Sequence, residues 1–542
     1  MKKTYKRLLK KYSIEVVKSV LWLVLISILS ILGPLLLKEA VDYNVKKGFE
    51  IDKIAGYILV LTLLFIAKFI YNRFKFYFEE KFKNFETEKL YQEIFKMSYE
   101  MINKMEPTYL TERVNSTVNT IFSLYSSSIS GIFVSALTMI MILAIISKIN
   151  WILAVLYFLQ IPLQYIGFQK LLNGENSKLS AYGVLLQETS ARNNKNIKAV
   201  MSDVESIKQF GESTGIISFI KKNVSEINKI SREGNQYAMD VCTILEYICQ
   251  IVKNASYIFI IYLYITGRAT VGDIVYLNLM NDIYYGSVSD VISIQVNLRD
   301  LKAAMKFIVE EVEKNKEDDG CIEISGVCSL SGQIKKMGYE NIELIKEGSF
   351  NFEKGDIVAL KGNSGVGKST FVKYLNKFLI SNEIFVNGIN IKEISNDSLR
   401  KKIFYLAQNA YLLPLSIKEN ITLGENYDKQ RWNMLLEMEF MKKFLGLEEG
   451  LETKVYENGA NLSGGDRQKI MLGRIFLRNP DVIILDESFN ALDEKTGEEI
   501  MEEILNMYSD KIVIIISHSE KYLKKCNVIV TIKNKQLSQK NN

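Results

Sequence analysis

Residues 362–369 read Gly-Asn-Ser-Gly-Val-Gly-Lys-Ser, which is the full G-x-x-x-x-G-K-S spacing of a phosphate-binding loop. Glycines at this spacing let backbone N–H groups curl around anionic phosphates. Lys368 supplies a positive charge to the β- and γ-phosphates, and the Ser369 hydroxyl is a ligand for Mg²⁺. The residues predicted to contact the nucleotide or its metal are Gly362, Asn363, Ser364, Gly365, Val366, Gly367, Lys368, Ser369 and Thr370.

Two further segments decide which kind of nucleotide-binding protein this is. Residues 462–465 read Leu-Ser-Gly-Gly, and residues 482–487 read Val-Ile-Ile-Leu-Asp-Glu. The aliphatic run is typical of a buried parallel strand, so Asp486 stands where a phosphate-loop enzyme positions a carboxylate that supports Mg²⁺. The alternative is that Asp486 and Glu487 belong to an acidic surface loop. Their position at the end of a buried strand disfavours that alternative. The C-terminal third is therefore predicted to hydrolyse ATP.

The combination resembles the ATP-binding cassette (ABC) proteins, in which Leu-Ser-Gly-Gly is the signature segment. The resemblance implies that Glu487 is the general base and that Gln408 contacts Mg²⁺ and the attacking water. It also implies that Tyr339 stacks on adenine and that Ser463, Gly464 and Gly465 contact the γ-phosphate. Three residues depart from the family pattern: Asp466 replaces the usual Gln, Asn490 the usual Ser and Gly473 the usual Ala.

His518 is the one histidine among 542 residues. A lone histidine is more often a surface or core residue than a functional group. Here it follows the apolar strand predicted at 512–516, downstream of Glu487, where the family has a histidine near the γ-phosphate. We therefore predict the same position for His518.

The apolar blocks lie in the first 300 residues and predict membrane helices of about 20 residues each. A basic leader precedes the first block, but no small-residue cleavage site follows it, so that block is predicted to be a retained span and not a signal peptide. The predicted spans are 19–37, 54–76, 123–147, 149–168, 241–266 and 274–298.

The connections between these spans alternate in length. The long ones, 77–122 and 169–240, are rich in Lys and Glu with apolar residues at helical spacing, which predicts helices that continue into the cytoplasm. Lysine enrichment there and at the N-terminus places both termini inside. The pattern resembles the exporter-type membrane domain of ABC proteins, whose inner turns carry coupling helices, predicted here at 107–113 and 194–202. A helix break at Pro107 is the alternative.

The sequence therefore predicts a multi-domain protein. An all-α six-helix membrane domain of the ABC exporter type 1 fold covers 1–311, a charged linker covers 312–330, and an α/β phosphate-loop ATPase domain covers 331–542. A composition rich in Lys, Ile and Asn suggests a bacterial source, so the expected location is the cell membrane, multi-pass.

Composition argues against several other classes of protein. None of the five cysteines falls in a predicted external turn, so disulfides are not expected, and no clustered His or C-x-x-C spacing suggests a structural metal. The net charge of +6 reflects the lysines of cytoplasmic segments, and no basic stripe with interleaved aromatics predicts nucleic-acid binding. The expected cofactors are ATP and Mg²⁺ alone, with Ser369, Gln408 and Asp486 around the metal.

The resemblance also implies dimerisation, because in the family the phosphate loop of one cassette faces the signature segment of another. Both halves are present in this chain, which favours a homodimer, and a heterodimer stays open.

Glu246 and Lys253 in the fifth span, with Asn281 and Asp282 in the sixth, suggest a polar cavity wall, or else simple pairing between the helices. The expected cargo is a peptide or amphipathic small molecule, with a lipid as the alternative. A regulatory, binding-only protein and an importer are the other readings.

Overall fold

A computed structural model of the protein describes residues 10–48, 51–105, 107–172, 178–209, 214–339, 342–408, 411–456 and 459–541. The chain divides into two compact units, and it passes from the first to the second between Lys316 and Glu317. Ser98–Met101 belongs to the second unit together with Glu317–Asn542. The two units are described separately below.

The first unit is helical throughout its described residues. Four stretches are long and apolar enough to cross a membrane: Ser13–Lys47, Ile54–Ile94, Pro107–Ile149 and Glu246–Ile265, with a shorter apolar helix at Trp151–Ile166. The helices from the N-terminus onward are α1 Ser13–Lys47, α2 Asp52–Ile94, α3 Tyr99–Met105, α4 Pro107–Ser123, a π-helical turn Leu124–Ile129, α5 Ser130–Ile149, α6 Trp151–Leu172, α7 Lys178–Ser202, α8 Val204–Gln209, α9 Thr214–Ile265 and α10 Val271–Lys306.

The sixth predicted span lies within α10 but is less apolar than the four long stretches. Asn278, Asn281 and Asp282 interrupt its apolar pattern. The same helix buries Tyr276, Tyr284 and other large side chains among the neighbouring helices, so it packs inside the bundle. A helix whose apolar face is covered by protein needs fewer apolar residues than one that faces lipid.

The two segments predicted as coupling helices, 107–113 and 194–202, both lie in helices of the first unit. Residues 107–113 form the first turns of α4, and the separate short helix in this connection is α3. Pro107 stands at the first position of α4, where its missing N–H and fixed φ favour helix initiation. The second predicted segment, 194–202, likewise belongs to the long helix α7, and α8 is the short helix that follows.

The second unit is built on a ten-stranded sheet in the order β7-β6-β1-β4-β12-β11-β5-β10-β9-β8. Strands β11, β5, β10, β9 and β8 run parallel, and the β7-β6-β1-β4 side is antiparallel. A separate hairpin is formed by β2 and β3. The strands are β1 Ser329–Ile334, β2 Met337–Tyr339, β3 Ile342–Ile345, β4 Glu347–Glu353, β5 Ile357–Lys361, β6 Ile384–Val386, β7 Ile389–Asn390, β8 Ile403–Leu406, β9 Val482–Asp486, β10 Ile512–Ile516, β11 Val528–Lys533 and β12 Gln536–Asn541.

Helices cover the sheet, and the central parallel strands are buried, as their aliphatic sequences predict. Every residue of β9 and β10 is buried, which explains why both strands are continuous aliphatic runs. Because parallel neighbours end at the same edge of the sheet, the segments that follow β5, β8, β9 and β10 meet there. The helices are α11 Lys368–Leu375, α12 Asn396–Lys402, α13 Ile417–Thr422, α14 Lys429–Glu437, α15 Glu439–Leu445, α16 Gly464–Leu477, α17 Glu494–Met507 and α18 Glu520–Leu523.

Gly473 lies inside α16 without any geometric need for glycine. A Cβ built there would sit 3.6 Å from the Ile421 side chain, an ordinary van der Waals contact. Because glycine in a helix interior costs about 0.5–1 kcal/mol relative to alanine, Gly473→Ala is expected to stabilise the second unit by that amount. Thermal unfolding in detergent measures the effect.

Gly465→Ala on the same helix is the control, since its Cβ would come 3.0 Å from the Ala491 carbonyl oxygen, and it should destabilise the second unit. A lower melting temperature for Gly473→Ala contradicts the expectation.

Candidate functional site

The glycine-rich loop connects β5 to α11 and is closed by its own lysine. The Lys368 ammonium donates hydrogen bonds to the carbonyl oxygens of Gly362 at 2.8 Å and Asn363 at 3.1 Å. Gly365 and Gly367 have φ of +78° and +107°, a conformation that L side chains rarely adopt. A Cβ on Gly367 would also come 3.1 Å from Cβ of Leu344. The loop thus presents backbone N–H groups and a buried cation at the N-terminus of α11, a geometry suited to phosphate.

Asp486 ends β9 with only 2% of its surface exposed. Burial raises the pKa of its carboxyl above the ordinary value, and hydrogen bonds from Ser369 and Tyr405 partly oppose that rise. The Tyr405 hydroxyl donates to Oδ2 at 3.1 Å. The pairing of a carboxylate with the Ser369 hydroxyl gives the all-oxygen donor set that Mg²⁺ prefers, so these residues fit the metal expected with ATP.

Glu487 follows at once and is held by side chains from three segments. Its Oε2 accepts hydrogen bonds from the Gln408 amide at 2.6 Å and from the Asn490 amide at 2.9 Å. Its Oε1 lies 3.3 Å from His518 Nε2. The backbone of Glu487 has φ of +50°, an unusual left-handed conformation for a non-glycine residue. A carboxylate fixed this way can accept a proton from a water molecule in front of it.

The signature segment forms the start of α16. Ser463 is the N-cap, and its hydroxyl oxygen accepts a hydrogen bond from the Asp466 N–H at 3.1 Å. A Cβ on Gly465 would come within 3.0 Å of the Ala491 carbonyl oxygen, which is tighter than most Cβ contacts and favours glycine there. The Gln468 side chain accepts a hydrogen bond from the Ala491 N–H at 2.9 Å. The signature helix is therefore fixed to the loop that follows Glu487.

The structure brings Gln408, Asp486, Glu487 and His518 to one edge of the sheet, as their positions after parallel strands predict. Tyr339 ends β2 and pairs with Ile342 across the β2–β3 hairpin. Among the described residues, no hydrogen bond joins Ser463, Gly464 or Gly465 of the signature segment to the phosphate-binding loop.

Sequence reasoning missed three partners of these residues. Tyr405 is not among the residues predicted from the sequence, although its place in the strand before Gln408 is a usable signal. Asn490 was noted only as a departure from the family pattern, and the structure shows it bonded to Glu487. Lys443, which binds Asp466, lies on a separate helix and gave no signal at all.

Comparison with known proteins places the chain in a family. The family model described as ABC transporter matches residues 345–490, and the model of the ABC transporter transmembrane region matches residues 16–288. The chain therefore belongs to the ABC transporter family, with a membrane region and an ATPase fused in one polypeptide. As in other members, ATP binding and hydrolysis are coupled to transmembrane transport.

Several relatives resemble it over different lengths. A putative export ATP-binding/permease protein of Rickettsia bellii is 26% identical over 534 residues, which cover 92% of this chain and 89% of that protein. A probable ABC transporter ATP-binding/permease protein of Haemophilus influenzae is 31% identical over 268 residues, so this chain spans only 47% of that relative. An ATP-dependent lipid A-core flippase of Haemophilus ducreyi is 31% identical over 235 residues, 42% of this chain and 40% of that one.

The fold is also that of a solved exporter. A bacterial Atm1-family ABC exporter with ATP bound superposes with a TM-score of 0.79 at 17% sequence identity, covering 97% of this chain and 96% of that one. At this identity the likeness concerns the fold alone. It confirms the prediction of a helical membrane domain followed by an ATPase domain that contains a sheet.

Proposed function

We propose that this chain is one half of an ATP-driven exporter and that two identical copies form the working pump. The separation of the phosphate-binding loop from the signature segment carries this proposal. In a single copy Gln408 bonds Glu487, and Asp486 bonds Ser369 of the loop, but among the described residues Ser463 has no hydrogen bond to that loop. In a dimer, the signature segment of one copy would cover the ATP held by the other, so both copies contribute to each site.

The roles of the residues follow from their chemistry. Glu487 accepts the proton of the attacking water, and Gln408 and His518 hold that carboxylate in position. Lys368 binds the phosphates, and Tyr339 stacks on adenine. Ser369, Gln408 and Asp486 would hold Mg²⁺, which would supply positive charge to the phosphates. Closure around ATP and reopening after hydrolysis would then drive alternating access.

The proposed setting is a bacterial cell membrane with both termini in the cytoplasm. Lysines cluster in the basic leader and in the long connections between spans, on the side where the positive-inside rule places them. The proposed domain bounds are 1–311 for the membrane domain, 312–330 for the linker and 331–542 for the ATPase.

A polar cavity among α6, α9 and α10 is the proposed substrate site. Its volume is about 250 Å³. Two buried amides in it, Oε1 of Gln160 and Nδ2 of Asn281, have no hydrogen-bond partner among the described residues. Lys253 and Asp282 form an ion pair at 2.7 Å. The lining residues are Gln160, Glu246, Cys249, Gln250, Lys253, Asn281, Asp282 and Tyr285.

These groups favour a peptide-like or amphipathic substrate. Buried polar atoms without partners are costly, and a ligand that carries both a donor and an acceptor, as an amide does, would satisfy them. Glu246 is exposed at the same cavity and attracts an amine. The relative named as a lipid A-core flippase makes a lipid the second candidate, because a lipid headgroup also carries polar groups.

The test is ATP hydrolysis by the purified chain in lipid vesicles, with amine-bearing peptides, amphipathic drugs and lipid A added in separate assays. Asn281→Leu is expected to raise the half-maximal stimulating concentration by about tenfold, since it removes a buried hydrogen-bonding group of the cavity. The matched control is Asn278→Leu, one turn earlier on α10, which is exposed and does not line the cavity.

Stimulation by peptides that weakens only in Asn281→Leu supports the peptide-like substrate. Stimulation by lipid A alone would replace it with lipid transport. Equal responses of Asn281→Leu and Asn278→Leu would show that this cavity does not bind the stimulating compound.

A further inference from the structure

In the signature segment, the hydroxyl of Ser463 is hydrogen-bonded to the side chain of Asp466. The Ser463 hydroxyl donates a hydrogen bond to Oδ2 of Asp466 at 2.6 Å, besides accepting one from the Asp466 N–H. A hydroxyl has one proton to donate. That proton is therefore committed to Asp466, although Ser463 itself is exposed at the surface.

Lys443, on the separate helix α15, neutralises the carboxylate of Asp466. Its ammonium donates to Oδ1 at 2.8 Å and to Oδ2 at 2.6 Å. The Asp466 side chain is only 9% exposed, against 58% for Lys443. Burial alone would raise the pKa of Asp466, but the bonds from Lys443 and Ser463 outweigh it and hold the pKa below the ordinary value. Asp466 is thus a buried anion at neutral pH, directly behind Ser463.

The Ser463–Asp466 hydrogen bond and the charge of Asp466 both affect how the signature segment can contact ATP. Phosphate oxygens accept hydrogen bonds, so a serine that contacts a γ-phosphate must donate to it and release Asp466. A carboxylate one hydrogen bond behind that contact also repels the phosphate charge, unless a cation cancels it. Asp466 therefore opposes closure over ATP, and Lys443 limits that opposition.

We propose that Asp466 and Lys443 are positioning residues which set the ATP affinity of the closed dimer, Asp466 by withholding the Ser463 proton and Lys443 by cancelling the acid's charge. This inference rests on the proposed dimer, in which Ser463 faces the ATP of the partner subunit. It assigns to an exposed lysine outside every nucleotide motif a role in nucleotide affinity.

The experiment measures the ATP concentration for half-maximal hydrolysis, and the maximal rate, for the full-length protein in vesicles. Lys443→Gln is expected to raise the half-saturating concentration about fivefold with less than about a twofold change in maximal rate, because it leaves the carboxylate uncompensated. Asp466→Gln is expected to lower that concentration about threefold or more. Lys442→Gln is the matched control, because Lys442 is the adjacent residue of α15 and, within the part of the chain that the structure describes, its one ion pair is with the surface residue Glu439.

The double variant separates a charge effect from damage to the fold. In Lys443→Gln/Asp466→Gln there is no carboxylate left to compensate, so its half-saturating concentration should equal that of Asp466→Gln within about twofold. The inference is wrong if Lys443→Gln raises the half-saturating ATP concentration equally with Asp466 present and with Asp466→Gln, or if Lys443→Gln behaves like Lys442→Gln. If the wild type itself does not hydrolyse ATP, the proposed pump has failed, and that result is distinct from either outcome.

Discussion

Glu487→Gln is expected to lower the rate of ATP hydrolysis by about 10³-fold, within the range typical for loss of a general base. The amide cannot accept the proton of the attacking water, but it is nearly isosteric with the carboxylate. Because Glu487 is not a ligand of the phosphate-binding loop, ATP should still bind and the closed dimer should accumulate. Hydrolysis in vesicles and binding of a fluorescent ATP analogue measure the two effects separately.

The control for this variant is Glu494→Gln. Glu494 begins α17 close by in sequence and pairs with Lys521 on the surface, and among the described residues no hydrogen bond or ion pair joins it to Gln408 or His518. It should hydrolyse ATP at the wild-type rate. If Glu487→Gln retains more than about a tenth of the wild-type rate, another group acts as the base and the assignment is wrong.

Lys368→Met is expected to weaken ATP binding about a hundredfold, the effect of losing a charge-assisted hydrogen bond to an anion. The structure adds a second reason, because the Lys368 ammonium also bonds the carbonyl oxygens of Gly362 and Asn363. Its removal leaves those two carbonyls without that partner and loosens the loop. Nucleotide binding at equilibrium is the measurement.

Lys392→Met serves as the control, since Lys392 is exposed in the same unit and lies in a short 3₁₀ turn away from the loop. It should bind ATP as the wild type does. Unchanged binding in Lys368→Met would contradict the proposed role of the loop lysine in holding the phosphates.

Much of the nucleotide half could be predicted because its signals are local. The aliphatic runs of β9 and β10 specify buried parallel strands, and Asp486 and His518 follow from the ends of those strands. The glycines of the phosphate-binding loop are needed wherever the backbone takes a left-handed conformation. These patterns lie within a few residues of one another, so one sequence is enough to recognise them.

What could not be predicted depends on contacts between distant segments. The pairing of Lys443 with Asp466 joins two helices, and nothing in either local pattern indicates it. Pro107 is compatible with both a helix start and a break, and only packing decides between them. The unpaired atoms of the described cavity, Oε1 of Gln160 and Nδ2 of Asn281, likewise become apparent only when α6 and α10 are placed side by side.

The central claim is that two copies of this chain build each ATPase site, and nanodiscs that hold either one copy or two test it most directly. Two differently tagged versions purified through both tags give discs with two copies, and dilution gives discs with one. The account predicts ATP hydrolysis in the two-copy discs and a rate near zero in the one-copy discs. Equal hydrolysis per chain in both kinds of disc would contradict the shared site, and hydrolysis in neither would contradict the homodimer.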